Sequence, residues 1–303
     1  MAVALVGATA SGKSALAHQL ALESAGAIEI LSVDSMTVYR GMDIGTAKAT
    51  PEERSQVTYH LLDLIEPDQE FTVAQFQHEA REAQDLVWAL GGSVLYVGGT
   101  GLYARAVIDN LDIPGQFPEV RSQLEERSDD LAKLYEELTR LDPLAAARME
   151  PTNARRIVRA LEVTLASGRP FSSYGAGLRD YGESRVVQVG LNCEFGVLDV
   201  RIARRFEAWM EQGLLEEVAQ LRDRGMSRTA RQAVGYRELL RHIEEGVELE
   251  RCVNDAIIQS RRLARRQRSW FQRDPRVEWF DDPSDAAKRV GEVLSSPDGF
   301  VRN

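Results

Sequence analysis

The chain has 303 residues, 44% hydrophobic and 28% charged, a balance that describes a folded globular protein and excludes disordered and fibrous classes. Its net charge of −10 argues against a uniformly basic nucleic-acid binder, though not against a segregated basic surface. No apolar run reaches the ~18 residues of a membrane span, and Cys193 and Cys252, without metal-ligand spacing, read as reduced, buried thiols; the start, with no basic leader before the phosphate loop, reads as that of a cytoplasmic protein.

The apolar run Val3–Val6 predicts a first strand. Gly7-Ala8-Thr9-Ala10-Ser11-Gly12-Lys13-Ser14 follows at once and fits G-x-x-x-x-G-K-[ST] between a strand and a helix over Ser14–Ser24. Backbone N–H groups of such a loop, with a helix N-terminus, make an anion site suited to a diphosphate. Lys13 would neutralise the far phosphate, and the Ser14 hydroxyl would ligate Mg²⁺. The motif by itself does not say which phosphorylated ligand binds.

Ala27–Val33 predicts a second strand ending at Asp34. After a segment rich in small and polar residues, Leu61–Ile65 predicts a short buried strand, and Thr72 starts a helix to about Leu90. Ser93–Val97 predicts another strand, and Gly98-Gly99-Thr100-Gly101 turns into the next helix. Strands alternating with helices imply an α/β fold with a parallel sheet covered on both faces. Residues 118 to about 168 read as helices only, followed by a loop rich in Gly, Ser and Tyr from Gly168 to Ser184. A strand returns at Val186–Leu191, long helices run to Asp274, and Val277–Phe280 closes the pattern. The expected organisation is a catalytic core of residues 1–112 and 186–303, interrupted by an all-helical insertion of residues 113–185.

Ligands of open α/β sheets sit beyond the carboxyl ends of the strands. The phosphate loop, Asp34 and Thr100 all fall there. A carboxylate beside bound phosphate needs a task, and two suit Asp34: holding Mg²⁺ through water, or accepting a proton from an attacking nucleophile. The plainer alternative makes Asp34 and Thr100 helix caps. Arg261 to Arg273 contains six arginines (261, 262, 265, 266, 268, 273) and no acidic residue. Such a stretch either pairs with acids elsewhere in the fold or presents a surface to phosphate backbones.

Several segments together resemble the tRNA dimethylallyltransferases. They are the phosphate loop, the block Ser32 to Lys48, Tyr59-His60-Leu61-Leu62-Asp63, Gly98-Gly99-Thr100-Gly101-Leu102-Tyr103 and Ala233-Val234-Gly235-Tyr236-Arg237-Glu238. The resemblance runs from residue 3 to about 280 and implies a P-loop NTPase-like core. It implies transfer of a dimethylallyl group from dimethylallyl diphosphate to N6 of the adenine at tRNA position 37, with Mg²⁺ as cofactor and no membrane. The diphosphate would lie in the loop Gly7, Ala8, Thr9, Ala10, Ser11, Gly12, Lys13 and Ser14, with Asp34 and Thr100 catalytic. Asp34, Ser35, Met36, Thr37 and Thr100 would contact the target base and its neighbours. Arg121, Arg155, Arg156, Ile157, Val158 and Arg159 of the insertion would grip the anticodon stem-loop. Gln232, Ala233, Val234, Gly235, Tyr236 and Arg237, with the basic helix after Gln259, would hold the other side.

The residues also allow plainer roles: pairing of Arg155 and Arg159 with Glu150 or Glu162, and a core position for Tyr236 instead of a stacking one. Arg201 and Arg205 could reach the diphosphate from their helix. Ala8 stands where the family usually has proline, and the proline usual after Lys48 is delayed to Pro51. No zinc finger follows, as in the compact bacterial form, and a monomer is expected. The rivals are a small-molecule or nucleoside kinase using ATP in the same loop, with the insertion as a lid, and a prenyltransferase acting on free adenine nucleotides. A non-catalytic RNA-binding protein is a third reading, opposed by intact Lys13, Ser14, Asp34 and Thr100.

Overall fold

The structure, a computed structural model, describes residues 1–175, 178 and 180–295. The last residues of the expected core segment, 296–303, and residues 176, 177 and 179 of the expected loop lie outside the described residues. The chain divides into two compact units, Met1–Asp109 with Glu183–Asn303, and Asn110–Gly182.

The first unit opens with β1 (Ala2–Gly7), α1 (Lys13–Glu23), β2 (Ile28–Val33), α2 (Pro51–Gln56), β3 (Tyr59–His60), α3 (Val73–Ala89), β4 (Ser93–Gly98) and α4 (Gly101–Ile108). The second unit holds α5 (Pro118–Glu126), α6 (Leu131–Leu141), α7 (Pro143–Ala147) and α8 (Ala154–Ser167). The chain returns to the first unit as β5 (Val187–Leu191), α9 (Phe195–Glu211), α10 (Leu214–Arg224), α11 (Arg228–Arg231), α12 (Tyr236–Glu245), α13 (Leu249–Phe271), β6 (Val277–Phe280) and α14 (Pro283–Leu294).

The strands form one sheet in the order β3-β2-β4-β1-β5-β6, and every pairing is parallel. The side-chain alternation of β1 sorts the core into two layers. Val3 and Leu5 pack with Leu16 and Ala17 of α1 and with Ala286 and Val290 of α14. Ala4 and Val6 face the other layer with Phe76, Leu198, Phe206 and Ala264. Crossover helices on both faces explain why the strands read as continuous apolar runs.

Local chemistry sets several boundaries. Thr72 caps α3 through a reciprocal box with Gln75. Thr50 and Glu53 do the same for α2, and the delayed Pro51 stands in its first turn, where a missing N–H costs nothing. The α14 helix was absent from the sequence reading, although the Asp282 cap, Pro283 and the spacing of Ala286 and Val290 announce it.

One expectation is corrected. Leu61–Ile65 is not a strand: β3 ends at His60, and Leu61 (φ 65°) and Asp63 (φ 55°) are left-handed. The turn carries Asp63 to Lys48 Nζ at 2.7 Å and Arg54 Nη1 at 2.7 Å. Lys48 is buried and also reaches Asp43 at 2.5 Å and the Tyr39 carbonyl at 2.7 Å. The polar requirements of this lysine outweigh the β preference of the apolar run.

The glycines at the end of β4 answer a demand for space. A Cβ on Gly98 would stand 1.9 Å from the Val33 carbonyl oxygen, and one on Gly101 would stand 2.1 Å from the Trp270 indole. Where the chain leaves the first unit, Arg276 bridges Asp109 at 2.7 Å and Asp274 at 2.6 Å.

The second unit has its own core of Leu124, Leu134, Leu138, Ile157, Val158 and Leu161. Glu162 is buried beside it, accepts the Phe117 N–H at 2.8 Å and pairs with Arg159 at 2.6 Å.

Candidate active site

The loop between β1 and α1 is shaped by Gly12, whose φ of 100° at the N-cap of α1 favours glycine. Lys13 folds back onto the Ala8 carbonyl at 3.2 Å. Burial lowers its pKa to about 8, with Asp34 pulling the other way. From α9, Arg201 donates to the carbonyls of Ala10 at 3.3 Å and Ser11 at 3.4 Å. One turn on, Arg205 donates to the Thr9 hydroxyl at 2.9 Å, and burial lowers its pKa to about 10 against the pull of Asp34. The Thr9 N–H is held by Gln267 of α13 at 2.8 Å.

Asp34 stands at the carboxyl end of β2, where its carboxylate accepts the Met36 N–H at 2.8 Å. It caps a turn rather than a helix. Burial raises its pKa, opposed by that N–H and by the charges of Lys13 and Arg205. Thr100 occupies the N-cap of α4 without making the capping bond; its hydroxyl accepts the Ser35 N–H at 3.3 Å instead. Ser35 is thereby tied down, Met36 reaches the cleft, and the Thr37 hydroxyl lies 3.2 Å from that of Ser32.

A cleft of about 600 Å³ joins the loop, the α9 arginines and Asp34; Ser35 and Thr100 do not line it. Thr9, Ala10, Gly12, Lys13 and Ser14 form one wall, with Arg201 and Arg205 beside them. Asp34, Met36 and Thr37 stand in the same cleft, as do Ala233 and Val234. Basic groups around the loop suit a polyanion, and a carboxylate held partly out of water suits proton acceptance. Ser11 is buried, and its hydroxyl has no hydrogen-bond partner among the described residues.

Mg²⁺ takes oxygen ligands from a hydroxyl, from substrate phosphate and from water rather than from a protein cage. The exposed Ser14 at the start of α1 fits that pattern, and no cluster of three acidic, His or Cys side chains exists among the described residues to compete with it.

Other expected contacts fall differently. Tyr236 is fully buried and donates to Glu217 at 2.5 Å, so it is a core tyrosine and offers no face to a base. The Glu217 carboxylate also accepts the N–H groups of Asp43 and Ile44 at 3.1 and 2.8 Å, and a Cβ on Gly45 would strike the Tyr236 ring at 2.5 Å. The two motifs that flank this contact thus brace each other. Gly235 is buried, Gln232 is exposed, and Arg237 is half-buried with Glu238 as partner at 2.8 Å.

In the second unit Ile157 and Val158 are core residues, which corrects their expected contact role. Arg159 pairs with buried Glu162, and Arg121 pairs with Glu125 at 2.9 Å and lies 3.7 Å from Glu162. Arg155 and Arg156 are exposed and make no ion pair among the described residues. The α13 arginines divide in the same way. Arg265 pairs with Asp199 at 3.0 Å, and Arg261 lies 3.8 Å from the same carboxylate. Arg268 covers the Phe195 ring. Arg262, Arg266 and Arg273 are exposed without ion pairs among the described residues.

Gln267 and Trp209 also line the cleft, and Glu217 braces it through Tyr236, although no sequence motif marks Gln267 or Glu217. Only Trp209 had a signal, the four-residue spacing Arg201, Arg205, Trp209 on one helix.

The sequence pattern of the family described as IPP transferase matches residues 37–274. The chain belongs to this family. The tRNA dimethylallyltransferase of Thermobifida fusca is 46% identical over 301 residues, covering 97% of this chain and 93% of the relative. The crystal structure of the tRNA isopentenylpyrophosphate transferase of Bacillus halodurans is 36% identical, with a TM-score of 0.69 over 96% of both chains. A eukaryotic dimethylallyltransferase acting on tRNA shares the fold, with a TM-score of 0.80 at 24% identity over 97% of this chain and 79% of that one. The core is the P-loop NTPase-like fold of these transferases, and the block Asp34 to Lys48 that suggested the family lies almost wholly within the matched span.

Proposed function

We propose that this member of the family transfers a dimethylallyl group from dimethylallyl diphosphate to tRNA, at the exocyclic N6 of adenine 37 beside the anticodon. The observation that carries the reading is the meeting of Lys13, Arg201 and Arg205 with Asp34 in one cleft. A kinase reading explains the cations, but it does not account for the likeness of this chain to tRNA dimethylallyltransferases over nearly its whole length.

The loop N–H groups, Lys13 and Arg205 bind the diphosphate and take up the charge that grows as it leaves. Mg²⁺ held by Ser14 and phosphate oxygens would lower the leaving group's charge further. An anticodon-loop adenine reaches such a cleft by leaving its stack. As the bond from the allyl C1 to the diphosphate oxygen breaks, N6 bonds to C1, and the N6 proton passes to Asp34. The raised pKa of Asp34 suits a proton acceptor. Thr100 keeps Ser35 and its neighbour Asp34 in register with the end of β4. Exposed Arg155 and Arg156, and Arg262, Arg266 and Arg273, are among the arginines that RNA phosphates could meet. We read the protein as a cytoplasmic monomer; no helix among the described residues is long and apolar enough to cross a membrane.

The test is transfer of labelled dimethylallyl to unmodified tRNA with Mg²⁺, with AMP and ATP in parallel reactions. Label on tRNA alone, at adenine 37, supports the reading. Label on AMP moves the protein to the free-adenylate class, and ATP consumption without transfer makes it a kinase.

A further inference from the structure

We infer that Trp209 is a positioning residue whose indole face holds the Arg205 guanidinium in the orientation that receives the diphosphate. The inference rests on the functional reading above and deepens it.

Arg201, Arg205 and Trp209 recur at four-residue intervals along α9, so they form one stripe. The stripe runs along the phosphate-loop cleft, which all three residues line. Within it the Arg205 guanidinium lies over the Trp209 ring, 4.5 Å from the centroid. The ring is itself fixed: Phe206 meets it edge-on, with centroids 5.0 Å apart at 70°, and Trp209 is 8% exposed.

What holds Arg205 decides what it can bind. No ion pair involves Arg205 among the described residues. Among the described residues it donates to the Thr9 hydroxyl, and its buried Nε has no hydrogen-bond partner there. A carboxylate partner would consume the N–H fork and cancel the charge. An aromatic face attracts the cation through its quadrupole and leaves every N–H free. The guanidinium is therefore oriented and partly desolvated with donors to spare, which suits a bidentate phosphate contact. Burial has already made its charge costly, and a bound anion relieves that cost.

The test titrates inorganic pyrophosphate into the parent protein, Trp209→Leu and Trp209→Phe by calorimetry, with thermal melts of all three. Loss of the π face in Trp209→Leu is expected to weaken binding by about three- to thirtyfold, while Trp209→Phe stays within about twofold. A merely structural role would move the melts of both variants and separate their affinities little. Equal affinity of Trp209→Leu and the parent, or equal loss in both variants, overturns the proposal. If Trp209→Leu does not fold, the parent's fluorescence is titrated against Trp209→Phe as blank. A pyrophosphate-dependent change belonging to Trp209 supports the proposal, and an unresponsive Trp209 overturns it. A parent protein that binds no pyrophosphate sinks the functional reading itself, a result distinct from the failure of Trp209 alone.

Discussion

The Thr100 hydroxyl accepts the Ser35 N–H at 3.3 Å, joining the turn after β4 to the residue beside Asp34. A threonine in the cap position of α4 has therefore given up its capping bond to hold a neighbouring strand end. Thr100→Val, which keeps the shape and loses the acceptor, is expected to lower kcat by about tenfold, the size of one hydrogen bond. Thr100→Ser should recover most of it. The melting temperature should hardly move, because no cap is lost; a fall in stability with unchanged kcat would assign Thr100 a structural role.

Asp34→Asn keeps the turn-forming acceptor for Met36 and removes the base. Transfer is expected to drop by about 10²–10⁴-fold with pyrophosphate affinity retained or improved, since a negative charge leaves the cleft. Single-turnover transfer and calorimetry on the same variant check both parts. Normal turnover would remove Asp34 from the chemistry.

Lys13 has a pKa of about 8 in the ligand-free protein, lowered by burial. Its charge is present below that pH and lost above it. A bound diphosphate favours the charged form, so binding should take up a proton between about pH 8 and the raised pKa of the complex. Pyrophosphate affinity is expected to fall by up to about tenfold per pH unit across that window. Calorimetry in buffers of different ionisation enthalpy reads the proton directly. Lys13→Met should bind weakly with no such uptake, and uptake persisting in that variant would move the titration to another group.

Removing a buried cation shared by two carboxylates is costly. Lys48→Met leaves Asp43 and Asp63 facing each other and frees the Tyr39 carbonyl. We expect a loss of about 1–3 kcal/mol in urea unfolding: the Tyr39 carbonyl loses its buried donor, while Asp63 keeps Arg54 and Asp43 stays half-exposed to water.

The insertion arginines separate by their partners. Arg155→Ala and Arg156→Ala should each weaken tRNA binding and reduce the salt slope by about 0.7–0.9, with unchanged stability. Arg159→Ala should instead lower the melting temperature, since it strips the nearer of two cations from buried Glu162. Filter binding across a salt series and thermal melts distinguish the two outcomes.

Much of the core was legible because its signals are local. The run from Val3 to Ser14 states a strand, a phosphate loop and a helix in order, and the alternation to Gly101 states a parallel sheet. Asp34 was legible from its place at a strand end. Leu61–Ile65 misled because an apolar run does not announce that Asp63 must turn toward Lys48. Tyr236 misled because the same side chain serves a core or a stacking surface, and Glu217 decided between them from another helix.

The sequence by itself determined the phosphate loop with its flanking strand and helix, the strand before Gly98, and the carboxylate at the end of β2, because each depends on neighbours a few residues away. Tertiary structure alone decided which side chains share the cleft and which are buried. Gln267 meets Thr9 across 258 residues of chain, and Arg205 meets the same residue across 196. Contacts of that kind follow from the packing of α9 and α13 against the loop, and burial there lowers the pKa of Lys13 and Arg205 and raises that of Asp34.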